Sequence, residues 1–213
     1  MKQTQLARRY GLFGLGLLLN AFGAALIIKA AMGTSPISAV PYSLSLILPF
    51  CSLGTWTALY GFALIGIQWI LLKREANKFN MLISAATSLF FGTFIDLAML
   101  CLQFFQPSLY LLRLLTLVAG CLVTALGAWL EISADVAMIP ADAFLFSIAK
   151  VTGKEYGTVR LYSDIIMSAV AALLCLIFLH GLAGVREGTL FCALLVGNLV
   201  KWIRRKLPNL RLT

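Results

Sequence analysis

From Tyr10 to about Ala31 the chain runs for roughly 22 residues with a single charge, Lys29, and about 20 apolar residues in a helix cross a bilayer core of about 30 Å. Five more runs of this kind follow, at about 55–73, 80–104, 109–133, 157–181 and 187–203. This series narrows the fold sharply. Backbone in hydrocarbon must satisfy its own hydrogen bonds, and runs of this length do so as helices. The first run exceeds the roughly 7–15 residues of a signal-peptide core, so it reads as a retained membrane helix. Composition agrees: 61% of the 213 residues are hydrophobic, 12% are charged, and the mean hydropathy is +0.96. A chain of this size has too little interior to hide so much apolar surface from water. Lipid is the expected solvent, and a soluble enzyme, a disordered tail and a nucleic-acid binder are excluded.

Two further apolar stretches, about 36–50 and 139–150, reach only about 22 and 18 Å as helices. Each begins at a proline, Pro36 or Pro140, a residue suited to a first helical turn. They are expected as re-entrant or half-crossing helices, with interfacial helices and short full spans as the alternatives. Loop charge favours the first. With the N-terminus in the cytoplasm and both short pieces returning on their own side, the inside holds Lys2, Arg8, Arg9, Lys73, Arg74, Lys78, Lys150, Lys154, Arg160, Lys201, Arg204, Arg205, Lys206 and Arg211, which is 14 of the 17 basic residues. Letting both pieces span moves Lys73, Arg74 and Lys78 outside, against the positive-inside bias. Six spans plus two half-helices, both termini cytoplasmic, is the expected topology. Most of the net charge of +9 is then an orientation signal.

The chain also repeats. Residues 17–36 (LLLNAFGAALIIKAAMGTSP) align with 121–140 (CLVTALGAWLEISADVAMIP) at an offset of 104, with Gly23/Gly127, Ala24/Ala128, Ala30/Ala134 and Pro36/Pro140 identical. Gly54-Thr55 matches Gly157-Thr158, and Gly92 matches Gly197. Two repeats, 1–107 and 108–213, are expected within one membrane domain, each with three spans and one short helix. Three crossings is odd, so the second repeat is expected upside down. The uncharged segment Cys51–Trp56 against its counterpart Lys150–Arg160, with Lys150, Lys154 and Arg160, fits loops on opposite faces. Inverted repeats with broken helices are common among secondary transporters.

The runs GTSPISAVPYSLS (33–45), FGTFID (91–96), ALGAWLEISADVAMIPADA (125–143), VRLYSD (159–164) and GVREGTLFCALLVG (184–197) resemble the YczE/YyaS/YitT group of bacterial integral membrane proteins. The resemblance covers nearly the whole chain. It implies a polytopic bacterial inner-membrane protein with an internal duplication, and it assigns no site residues.

Ionisable groups at membrane depth cost about 2.5–3.5 kcal/mol on insertion scales and are functional candidates by default. Asp96 lies two-thirds of the way along the third span. Asp164 lies in the fifth, four residues after Arg160, so the two are expected on one helix face as an ion pair or as a site for a proton, a cation or a cationic substrate group. Glu131 and Asp135 are likewise spaced for one face, as a site or as an exposed helix end. Asp142, in the first turn after Pro140, suits a helix N-terminus. Lys29 either snorkels to the interface or attracts an anion. Gly33, Thr34 and Ser35 before Pro36 offer N–H groups and hydroxyls, either as an anion site or as a turn with an N-cap. Gln68 is a further polar candidate, with Asn20 and Asn198 as lesser ones.

Small residues on the first span (Gly11, Gly14, Gly16, Gly23, Ala24, Ala25) permit close packing within the fold or a homodimer. The five cysteines form no CxxC pair, and His180 is the one histidine. No metal, disulfide framework or cofactor is expected; the cysteines read as small apolar side chains. An intramembrane enzyme is not expected, since HExxH and Gly-x-Ser-x-Gly are absent and His180 has no nucleophile to serve. The expected function is a secondary transporter or facilitator of a small polar or charged solute, proton- or cation-coupled, with a cavity between the two short helices. The alternatives are a substrate-binding subunit working with an energising partner, as GxxxxGK[ST] is absent, and a structural or regulatory membrane protein.

Overall fold

In the computed structural model, residues 3–72, 78–182 and 184–206 are described. Lys2, Lys73, Arg74 and Arg211, part of the orientation signal, lie outside them. The described residues form eight α-helices and no strand: α1 (Gln3–Lys29), α2 (Pro36–Ile47), α3 (Leu53–Leu72), α4 (Lys78–Cys101), α5 (Tyr110–Ala134), α6 (Pro140–Thr152), α7 (Tyr156–Leu179) and α8 (Glu187–Lys206). Five hold apolar stretches long enough to cross a membrane: Ala7–Lys29, Leu53–Leu72, Phe79–Cys101, Tyr110–Ala134 and Tyr156–Leu179. The chain is a multi-pass membrane protein. The sixth expected span, 187–203, is formed as the 20-residue α8 but is not among the five. Glu187 at its start and the basic run from Lys201 shorten its apolar stretch.

Prolines and left-handed residues punctuate the chain at matching places. After α1, Ala31 takes φ 55°; after α5, Asp135 takes φ 48°. Both precede a short helix that starts on proline, α2 with 12 residues and α6 with 13. At 1.5 Å per residue these reach about 18 and 20 Å, well short of a bilayer core of about 30 Å.

The chain gathers into two compact units, each drawing on both halves of the sequence: Met1–Ser35, Phe94–Val136 and Arg186–Thr213 in the first, Pro36–Thr93 and Ala137–Val185 in the second. In the first unit α1 packs on α5 and α5 on α8. The α1–α5 pair is antiparallel: Arg9 meets Ala134 and Asp135, and Gly23 meets Gly120. Glycines allow the approach. A Cβ built on Gly127 would stand 2.7 Å from the Gly16 carbonyl oxygen, and one on Gly23 would stand 2.8 Å from that of Gly120. The backbones therefore touch where side chains would hold them apart. Among the described residues, nothing outside its own helix backbone and chain neighbours stands within 4 Å of a Cβ built on Gly11 or Gly14. Ile27, Ala30, Met32, Leu117, Cys121 and Cys192 form a buried cluster at one end of the unit. In the second unit α2 packs on α3 and α7, and α6 on α3 and α7. Its core is Ala39, Val40, Met167 and Ala171. There the Ser43 hydroxyl donates to the Ala171 carbonyl at 3.5 Å and accepts from the Cys175 thiol at 3.1 Å.

Candidate functional site

Within the second unit, one cavity is lined by the first turns of both short helices. Ile37, Ser38 and Pro41 come from α2, and Ile139, Pro140 and Ala141 from α6 and the residue before it. Thr57, Tyr60, Gly61 and Leu64 of α3 and Ser88 and Phe91 of α4 complete the wall. Gly61 fits because Ser88 and Pro140 press against the place its side chain would fill. The cavity is small, about 30 Å³ to a water-sized sphere, room for roughly two waters. Its wall is mainly apolar, with Ser38, Thr57, Tyr60 and Ser88 the hydroxyl-bearing residues in it, and the Ser88 hydroxyl donates to the Ala58 carbonyl at 3.2 Å.

One residue beyond Ala141 begins a charged network. Arg160 Nη1 donates to Asp142 Oδ1 at 2.8 Å and to the Tyr156 hydroxyl at 3.2 Å, and that hydroxyl donates to the same carboxylate oxygen at 3.1 Å. Pro140 starts α6 with Asp142 in its first turn, while Tyr156 and Arg160 sit one turn apart on α7. The expected Arg160–Asp164 ion pair does not form: the guanidinium reaches across to α6 instead of along its own helix. A paired Asp142 is also more than a charge at a helix start. Asp164 is left with a buried Oδ1 that has no hydrogen-bond partner among the described residues, and Gln68 Oε1 on α3 is in the same position. Buried oxygens of this kind are uncommon, and each calls for an explanation.

The other sequence candidates lie in the first unit. Glu131 is not part of an exposed helix end: it is 7% exposed and accepts from Asn20 Nδ2 at 3.1 Å. Its side chain lies over Gly16, where a Cβ would stand 2.8 Å from Glu131 Cγ. Asp135 does not share its face, because the helix stops at Ala134 and Asp135 turns left-handed. The Asp135 side chain, 86% exposed, pairs with Arg9 at 3.2 Å, and Arg9 Nε also donates to the Ala134 carbonyl at 3.0 Å, closing the end of α5. Asp96 and Lys29 are half-buried on α4 and α1. Thr34 is buried, and its N–H donates to Thr189 Oγ1 at 3.2 Å, so the open anion site expected at Gly33–Ser35 is closed at Thr34. The half-buried Ser35 leads straight into Pro36.

That closure explains two sequence runs at once. Gly188 N donates to the Met32 carbonyl at 2.9 Å, Arg186 N donates to Thr189 Oγ1 at 3.3 Å, and Arg186 Nη1 donates to the Ala31 carbonyl at 3.1 Å. Gly33, at φ 119°, lies against Thr189 and Arg186. The start of α8 thus grips the turn between α1 and α2.

The chain belongs to a family of unknown function, DUF6198. The family profile matches residues 7–205, which include both gripping runs, the cavity wall and the charged network. No curated protein and no solved structure matches the chain.

Tyr156 and Thr189 were not singled out by sequence reasoning. Nothing about an isolated Tyr at a helix start marks it as a partner for an acid fourteen residues earlier. Thr189 had a signal, since it closes the GVREGT run. Among the described residues, no three His, Cys, Asp or Glu side chains gather as a metal site would require.

Proposed function

We propose that the protein is a secondary transporter or facilitator of a small polar or charged solute in the bacterial inner membrane, built from two inverted repeats and akin to the YczE/YyaS/YitT group. The observation that carries this reading is the cavity onto which the first turns of α2 and α6 both open. Short helices meeting at a central site are how many transporters present polar groups at mid-membrane. The adjoining network offers what solute or ion exchange needs, a carboxylate held by Arg160 and Tyr156 and a second, Asp164, with a buried oxygen that has no hydrogen-bond partner among the described residues.

The helix directions support the inversion. Arg9 and Asp135 lie at one end of the α1–α5 pair, and Arg186 meets Ala31 at the other. With α3, α4 and α7 crossing, Arg9 and Asp135 share a side only if α2 turns back, and Ala31 and Arg186 share one only if α6 does too. On this reading neither short helix crosses, as the re-entrant arrangement requires, and loop charge puts both termini in the cytoplasm. The glycine contacts fit as well: Gly16 and Gly23 correspond to Gly120 and Gly127 at the repeat offset, and each touches the other's counterpart.

Flux into proteoliposomes from a panel of small anions, cations and zwitterions tests the proposal, with heat stability in detergent as a second readout of binding. Asp164→Asn is expected to abolish coupled flux while leaving the protein folded. If Asp96→Asn and Asp164→Asn both transport like the parent, these acids have no part in it. A stoichiometric ATPase in the purified complex would favour a substrate-binding subunit. Absence of any solute-dependent stabilisation or flux would favour a structural or regulatory role.

A further inference from the structure

Cys121 on α5 and Cys192 on α8 face each other with their sulfur atoms 3.3 Å apart. They are 0% and 1% exposed, inside the cluster of Ile27, Ala30, Met32 and Leu117. Sequence alone offered no reason to pair them, since they stand 71 residues apart and lie within apolar runs. A disulfide bond is about 2.05 Å long, so the two sulfurs need to approach by little more than about 1 Å to bond. The third buried cysteine, Cys175, faces the Ser43 hydroxyl instead.

We infer that Cys121 and Cys192 are an oxidation site, a dithiol that closes to a disulfide tying α5 to α8 under a small membrane-permeant peroxide. One sulfur attacks a peroxide oxygen as the O–O bond breaks, and the thiol proton leaves with the departing hydroxide as water. The second sulfur then attacks the resulting sulfenic acid, the S–O bond breaks, the S–S bond forms, and the second thiol proton leaves in a second water. Two thiols are oxidised by two electrons and one peroxide is reduced. The apolar shell disfavours the thiolate and slows the first attack, while the second sulfur, 3.3 Å away, is placed to trap the sulfenic acid once it forms. The place of the bond gives it an effect. Cys192 lies one turn beyond Gly188 and Thr189, which hold the Met32–Thr34 turn. Closing the bond pins the start of α8 to α5 and with it the turn that leads into α2.

The test uses the full chain in membranes, treated with hydrogen peroxide or with diamide, which takes up the two hydrogens itself. Thiols are then blocked in denaturant and the digest is mapped by mass. A Cys121–Cys192 cross-linked peptide, two hydrogens lighter than the pair and reversed by a reductant, is expected. The oxidised protein is also expected to melt at least a few degrees above the reduced one. Cys192→Ser and Cys121→Ser should each abolish the cross-link and the melting shift. The inference is overturned if both thiols still react with the blocking reagent at doses of either oxidant that modify the exposed Cys101, or if they oxidise singly to sulfinic acids without cross-linking. The wild-type map decides the matter even where a serine variant fails to fold.

Discussion

Single residues set the closest approach in this protein. Gly23 lies against the Thr124 side chain, with the Thr124 N and the Gly120 carbonyl oxygen also within 3 Å of a built Cβ, whereas Gly11 on the same helix faces open space. Gly23→Leu is therefore expected to destabilise by about 1–3 kcal/mol or more, the usual cost of overpacking, and to lower the melting temperature in detergent. Gly11→Leu should leave it unchanged. Equal behaviour of the two variants would show that the α1–α5 contact is not close-packed. The acids show how far a residue pattern reaches. Spacing by four puts two side chains on one face only while the helix continues, and it stops between Glu131 and Asp135. Arg160 had two carboxylates within reach, and only the placement of α6 against α7 selected Asp142. That choice is tertiary, so no local pattern encoded it.

At the scale of elements, the helix boundaries were the most legible feature. Proline opens both short helices, and the apolar runs match the long ones to within about three residues except at the start of α1, which begins at Gln3 and not at Tyr10. α8 starts where its run does but is not among the helices apolar enough to span, because its apolar core is bounded by charge at both ends. The grip between the start of α8 and the turn after α1 was not legible, since it joins segments more than 150 residues apart. Beside the bonds to the Met32 and Ala31 carbonyls, one buried side chain holds it: Thr189 Oγ1 accepts from both Thr34 N and Arg186 N, and Thr189 is 1% exposed. Thr189→Val keeps the shape and removes the acceptor, leaving the buried Thr34 N–H without this bond. A loss of about 1–3 kcal/mol is expected, read as a lower melting temperature and as faster amide hydrogen exchange at 32–35. Unchanged exchange there would mean that the turn holds itself.

For the whole molecule, the proposed topology makes a direct claim about sidedness. The loop after α2 faces outward and the loop after α6 faces the cytoplasm, although they are equivalent in sequence. In a chain without Cys51 and Cys101, Ser52→Cys should react with a membrane-impermeant maleimide in intact cells, and Lys154→Cys only after permeabilisation. Labelling of both from one side would end the inverted arrangement and the transport proposal built on it. Loop charge carried this topology in the sequence, and a cavity between the two short helices was expected there, whereas the share of its wall supplied by α3 and α4 was not legible, being a product of packing among four helices. The glycine crossing of α1 and α5 bears on how such a chain could arise. Each helix presents the same pair of notches, seven residues apart, and each notch receives the backbone of the opposite helix. If the two halves descend from one shorter protein, that ancestor already carried both sides of the joint. It could have closed on a second copy inserted in the opposite direction, and fusion would have made permanent a pairing that had depended on two chance orientations.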